Sequence, residues 1–205
     1  MSQFIKKSLL AAAAALTLVT SGAHAVTFNF YQTTSSLFDT EYSVLNRSSG
    51  GFDLALSAVS TSSGAKVTLG RNGIGVDAGL FDLSGDLNDG NTLLLTFNQA
   101  VNFSSLGLSG WDRPFLGIGG DKVSITTGGQ TYNLTADSGS GAITNFSLGS
   151  LALQGTSFLI KAEGASSFRV ANLNVSAVPE AGTSAMLGLG LLGVAAVARR
   201  KSRKA

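Results

Sequence analysis

Short apolar runs separated by turn-forming residues constrain the fold of this chain more than any other feature. Between Val26 and Ala177, segments rich in Val, Ile, Leu, Phe and Thr alternate with clusters of Gly, Asn, Asp and Ser, which is the pattern of strands and turns. No long amphipathic helix pattern lies among them. The predicted strands are Val26–Tyr31, Phe52–Val59, Lys66–Leu69, Thr92–Phe97, Phe103–Leu108, Lys122–Thr126, Thr131–Thr135, Ile143–Leu148, Phe158–Ala162 and Phe168–Ser176. We therefore expect an all-β, two-sheet β-sandwich of the jelly-roll type, with an up-and-down barrel as the alternative.

Three segments predict finer detail of the sheets. The alternation within Asp121–Thr135 around Gly128-Gly129 predicts a hairpin, since this dipeptide accepts positive φ. The strand Thr92–Phe97 carries leucine on both faces, which predicts a central, largely buried position. In Phe168–Ser176 the apolar positions change parity, which predicts a bulge near Ala171-Asn172.

The first 25 residues have the composition of a secretory signal peptide. Lys6 and Lys7 precede the apolar run Leu9–Val19, and Ala23-His24-Ala25 forms an A-x-A cleavage site. Cleavage after Ala25 removes the single histidine of a chain that has no cysteine. The mature protein then has no Ser-His-Asp triad, cysteine nucleophile, histidine metal ligand or disulfide. These classes of catalytic residue are therefore not expected, and we interpret the chain as a protein that is not an enzyme.

The charge of the predicted domain argues against a nucleic-acid partner. From Val26 to Val178 there are seven basic and eleven acidic residues, a net charge of −4. The few basic residues are scattered, so no positive patch is expected that could neutralise phosphates.

The last segment, residues 178–205, has three parts in a fixed order. The polar break Val178-Pro179-Glu180 precedes a run of small and apolar residues, Ala185–Ala198, and the cationic cluster Arg199, Arg200, Lys201 follows it. Even counted from Ala181, the apolar run is slightly shorter than the about 20 residues that span a bilayer. Basic residues remain on the cytoplasmic side, so residues 26–177 would lie on the other side of the membrane.

This order of features at the extreme C-terminus resembles the PEP-CTERM sorting signal of exported proteins in Gram-negative bacteria. Pro179 and Glu180 match its motif, and Ala181 occupies the place of the usual second proline. The resemblance implies processing by an exosortase, transient anchoring in the inner membrane, and delivery to the cell surface or extracellular matrix. It also implies a role in biofilm or exopolysaccharide matrix, with extracellular polysaccharide as a partner. An ordinary C-terminal anchor is the alternative.

An acidic loop is a candidate calcium site, although no cofactor is otherwise expected. Its oxygen-bearing side chains recur at short intervals, a spacing that suits a hard cation. Leu87 and Leu93 stand where an EF-hand needs glycine and glutamate, so that motif fails. A solvated turn is the other interpretation. The candidate ligands are Asp82, Ser84, Asp86, Asn88 and Asp89.

Trp111, Asp112 and Arg113 form a candidate sugar site in a turn-rich stretch. An exposed indole could stack on a sugar ring while its neighbours bind hydroxyl groups, whereas a core or capping role is the more ordinary one for a tryptophan. With the acidic loop, this gives the second functional hypothesis, a calcium-assisted carbohydrate-binding module.

The third hypothesis is a glycan-active hydrolase, which needs two acids across a cleft. The candidate acids are Asp39, Glu41, Asp53 and Asp77. The glycine-rich segment Gly73–Gly79 superficially suggests a phosphate loop, but no helix pattern follows it, so it is interpreted as a tight loop between strands.

Overall fold

Antiparallel strands form nearly all of the regular structure. The computed structural model describes residues 24–32, 39–60, 64–78, 85–88, 90–112, 120–134 and 142–178, with residues 188, 190, 191 and 193. Within these ranges, Ala25–Val178 form one compact unit. Its elements are β1 (Ala25–Asn29), β2 (Thr40–Tyr42), β3 (Val44–Ser49), β4 (Phe52–Ser60), β5 (Lys66–Gly70), β6 (Gly73–Asp77), β7 (Asn91–Ser109), β8 (Val123–Thr127), β9 (Gln130–Leu134), β10 (Ile143–Ser147), a short 3-10 helix (Gly149–Leu151), β11 (Gln154–Ala162) and β12 (Arg169–Ala177).

The 19-residue strand β7 belongs to both layers of the fold. Its first half, Asn91–Phe97, pairs with β4 and β11, whereas its second half, Val101–Ser109, pairs mainly with β12 and β10. The residues between the halves, 98–100, are exposed, and the register with β11 shifts opposite them. The chain therefore passes from one layer to the other within a single strand.

The two layers have different strand orders. The first layer runs β3-β4-β7-β11-β8-β9. The second runs β10-β7-β12, with β1 and the β6-β5-β2 ribbon both paired to β12. Because β7 pairs with strands far from it in the chain, an up-and-down order is excluded.

Aromatic rings from both layers meet in the core between them. Phe97 of the first layer packs edge-on against Phe28 of the second at a centroid distance of 6.1 Å. Phe158 of the first layer meets Phe103 of the second at 5.3 Å. All four side chains are buried, and burying one of this size contributes about 1.5–3 kcal/mol. Contacts between distant parts of the chain therefore supply much of the stability.

The predicted all-β sandwich and its three finer details are confirmed. Strands β8 and β9 form the hairpin, with Gly128 at φ 57° and Gly129 at φ 80° in its turn. Thr92–Phe97 lies between two neighbouring strands, with Leu93, Leu95 and Phe97 buried. The register of β12 shifts between Val170 and Asn172, where the bulge was predicted. The jelly-roll subtype stays a prediction.

Four features of the strand prediction need correction. Thr92–Phe97 and Phe103–Leu108 are halves of β7, because the residues between them, 98–102, continue the strand. Gly73–Asp77 is strand β6 and not a loop, because it pairs along its whole length with β5 and buries Ile74 and Val76. Strands β2 and β3 were missed because they are short or polar edge strands; Leu45 is the buried apolar residue of β3.

Candidate functional site

The guanidinium of Arg169, at the start of β12, is held by two carboxylates. Its Nη2 donates to Asp39 Oδ2 at 2.6 Å, and its Nε donates to Asp86 Oδ1 at 2.5 Å. The arginine side chain is 11% exposed. Burial acts to lower the pKa of Arg169, but the hydrogen bonds with Asp39 and Asp86 raise that pKa, and the net shift is upward. The charged cluster therefore fastens three separate chain segments together.

The Arg169 cluster includes Asp86, which is one of the predicted calcium ligands. Asp86 and Asn88 are described, whereas Asp82, Ser84 and Asp89 lie outside the described residues. Besides Arg169, Ser167 Oγ donates to Asp86 Oδ2 at 3.1 Å. No group of three potential metal-ligating acids, histidines or cysteines occurs in the described part of the chain. Asp86 thus has a structural role, and calcium binding stays a prediction.

Trp111 lies against the core, with its ring partly buried. The indole packs edge-on on Phe146 at a centroid distance of 5.1 Å and is tilted against Phe168 at 5.4 Å. Its Nε1 is buried and has no hydrogen-bond partner among the described residues. This packing fits the core or capping role better than a fully exposed stacking surface. Sugar binding at Trp111 stays a prediction, and Arg113 lies outside the described residues.

Asp112 lies in an open groove with Asp121, Lys122 and Glu163. Asp121 Oδ2 accepts from Asp112 N at 2.6 Å, and its Oδ1 accepts from Ser167 N at 3.1 Å. Burial raises the pKa of Asp121, and these two backbone hydrogen bonds only partly offset that rise. The Asp121 carboxylate therefore joins the backbone of Asp112 to that of Ser167, two residues before β12.

The candidate hydrolase acids are divided between the two layers. Glu41 accepts from Lys66 at 2.6 Å, and a hydrogen bond with Lys66 is the largest cause of its lowered pKa, with a smaller contribution from Asp77. Asp53 lies in β4 and accepts from Ser48 Oγ at 2.6 Å. A glycosidase general acid needs a raised pKa, so the lowered pKa of Glu41 does not favour that role.

The C-terminal segment begins directly at the end of the sandwich. Strand β12 ends at Ala177, and the amide of Val178 donates to the carbonyl of Ala100 at 3.3 Å. Pro179, Glu180 and the cluster Arg199–Lys201 lie outside the described residues. Gly188, Gly190, Leu191 and Gly193 have helical backbone. Among the residues that the structure describes, no helix has both the length and the apolar character needed to cross a bilayer, so the predicted membrane helix stays a prediction.

Comparison with known protein families identifies this segment. Residues 177–201 match the PEP-CTERM protein-sorting motif. The chain is therefore an exported protein with a C-terminal membrane-anchoring sorting signal. It carries the signal of the proteins that exosortase sorts and processes. No curated protein and no solved structure gives a significant match to the chain.

Sequence reasoning missed the Arg169 cluster and the role of Asp121. Asp39 and Arg169 are 130 residues apart, and nothing in their local sequence links them. The sorting signal, in contrast, was found because its parts are contiguous in the chain.

Proposed function

We propose that the sandwich is released from the inner membrane and resides in a polysaccharide-rich matrix at the cell surface, as a non-enzymatic component. The observation that carries this proposal is the position of the sorting signal. All twelve described strands end by Ala177, and Pro179-Glu180 follow two residues later. A cut beside Pro179-Glu180 would leave every described strand and the core intact.

Four of the described carboxylates are held in ion pairs, which supports a role without catalysis. Asp39 and Asp86 are paired with Arg169, Glu41 with Lys66, and Glu163 with Lys161. The histidine and cysteine chemistry of many hydrolases is also absent from the sequence after residue 25. Asp121 has a raised pKa, but both of its oxygens accept backbone hydrogen bonds. These contacts favour a binding or structural role for the domain over acid-base chemistry.

Fractionation of the native host tests the location. The wild-type protein should be recovered from the extracellular matrix, and Glu180→Ala should remain in the inner membrane in a heavier form. Glu41→Ala is the matched control, because it makes the same chemical change at an exposed residue of β2. In cells that make no exopolysaccharide, the wild-type protein should move to the medium.

Three results would contradict the proposal. They are wild-type protein retained in the inner membrane, equal distributions of wild type and Glu180→Ala, and a matrix fraction that does not change when the polysaccharide is absent.

A further inference from the structure

One part of the outer surface of the second layer, away from the charged β6-β5-β2 ribbon, is polar with a single charged residue in its strands. It is formed by β1, β10, β12 and the second half of β7, whose single charged residue is Arg169. That cation is already paired with Asp39 and Asp86. We call this surface the amide face, because each of these four strands carries at least one asparagine. The first layer differs, with Arg47, Asp53 and Lys161 in its strands.

Two cross-strand rows of the amide face have different hydrogen bonding. In one row Ser105, Asn174 and Thr27 are register neighbours. Asn174 Nδ2 donates to Ser105 Oγ at 2.6 Å, and the Thr27 hydroxyl donates to Asn174 Oδ1. This row therefore satisfies its own polar groups.

The neighbouring row contains a notch at Gly107. Asn145 of β10 and Asn172 of β12 are its register partners on either side. A Cβ at Gly107 would lie 2.6 Å from both amide atoms of Asn172 and 2.7 Å from Asn145 Oδ1. The ends of the Asn145 and Asn172 side chains thus occupy the space that a side chain at position 107 would need. Within the described residues, neither side-chain amide is hydrogen-bonded to another protein group.

The chemistry of this amide pair, Asn145 and Asn172, defines the ligand class. Each carboxamide offers two donors and an acceptor oxygen, which matches hydroxyl groups that both donate and accept. The amide face has no free cation among its described residues to neutralise an anionic polymer. In the described strands that form this face the aromatic side chains are buried, so none of them is an outward anchor of the kind that dominates protein interfaces.

We propose that the amide pair beside Gly107 binds hydroxyl groups of an uncharged polysaccharide lying across the amide face. This inference rests on the proposed matrix location, because that location brings the face into contact with polysaccharide. It moves the sugar contact away from Trp111, whose ring is packed on the core.

Affinity electrophoresis of the protein recovered from cells tests this site, with dextran, hydroxyethyl cellulose and galactomannan as neutral probes and alginate as the anionic one. At least one neutral polymer should retard the wild-type protein, and alginate should not. The double variant Asn145→Ala, Asn172→Ala should bind roughly tenfold more weakly, as expected for the loss of two hydrogen bonds. Asn133→Ala is the matched control, because it removes an exposed asparagine from β9 of the first layer. Thermal melting should show all variants folded.

The proposal is overturned if no neutral polymer retards the wild-type protein, if alginate retards it as strongly, or if the double variant binds like wild type. Protein found in the matrix that binds no neutral polymer would remove this inference and leave the proposed location standing. Protein held in the inner membrane would remove the proposed location whatever the electrophoresis shows.

Discussion

The sandwich and the sorting segment differ in how their sequence specifies them: the sandwich depends on contacts between distant residues, and the sorting segment is one contiguous stretch. Between Ala25 and Val178, the fold depends on pairs of residues far apart in the chain, such as Phe28 with Phe97 and Phe103 with Phe158. The sorting segment is a linear signal whose parts follow one another over residues 177–201. The segment matches a known sorting motif, whereas no solved structure gives a significant match to the chain. A short contiguous signal is recognisable by itself, whereas a distributed core is visible only after folding.

The largest loss of stability in the sandwich should come from removing an aromatic ring that contacts both layers of the core. Phe158 is fully buried and meets both Phe97 and Phe103 edge-on, so Phe158→Ala should lower the free energy of unfolding by about 3–5 kcal/mol. Val59→Ala, at a side chain 46% exposed, is the control and should change it by less than about 0.5 kcal/mol. Urea unfolding measures both values. Equal effects would mean that the core does not depend on the ring cluster.

A smaller effect should follow from removing the charge that joins three segments. Arg169→Met leaves Asp39 and Asp86 without their shared cation, and breaking a buried pair costs about 3–5 kcal/mol. The carboxylates are 32% and 30% exposed, so water reduces the expected loss to about 1–3 kcal/mol.

Lys161→Met tests the same chemical change at an exposed ion pair and should cost less than about 0.5 kcal/mol. The triple variant Arg169→Met, Asp39→Asn, Asp86→Asn should recover part of the lost stability, because it removes the unpaired charges. A single Arg169→Met variant as stable as wild type would show that the cluster does not hold the segments together.

The smallest effects should be two opposite dependences of stability on pH. Burial raises the pKa of Asp121, so its contribution is largest below the ordinary aspartate pKa and is lost as pH rises through the raised value. Hydrogen bonds from Ser124 and Lys161 lower the pKa of Glu163. Its contribution is present above the ordinary glutamate pKa and is lost as pH falls through the lowered value.

Titration of the two carboxylates by NMR should show these opposite shifts. Asp121→Asn should remove the first dependence, and Glu163→Gln the second. Shifts in the same direction for both groups would contradict the contacts described for them.

The sequence predicted those parts of the fold that depend on local pattern. Alternation identified the β8–β9 hairpin and the buried face of Leu93 and Leu95, and the change of parity located the bulge near Ala171. Pairing between remote strands could not be predicted, because periodicity tells which face is buried and does not tell which neighbour a strand has. The passage of β7 through both layers is therefore a property of the folded chain alone.

The same limit applies to the candidate sites. Asp86 was interpreted as a calcium ligand from its immediate neighbours, because its partner Arg169 is remote in the chain. The notch at Gly107 also has no local signal, since Asn145 and Asn172 reach it from two other strands. The sorting segment at residues 177–201 was predicted because its parts are contiguous.

Mass spectrometry of the C-terminus of the exported protein tests the central claim most directly. If the sandwich is the released product and the sorting segment is removed, the wild-type chain should end beside Pro179-Glu180, and Glu180→Ala should retain residues up to Ala205. A mature wild-type protein that still ends at Ala205 would contradict this account and leave an ordinary membrane anchor in its place.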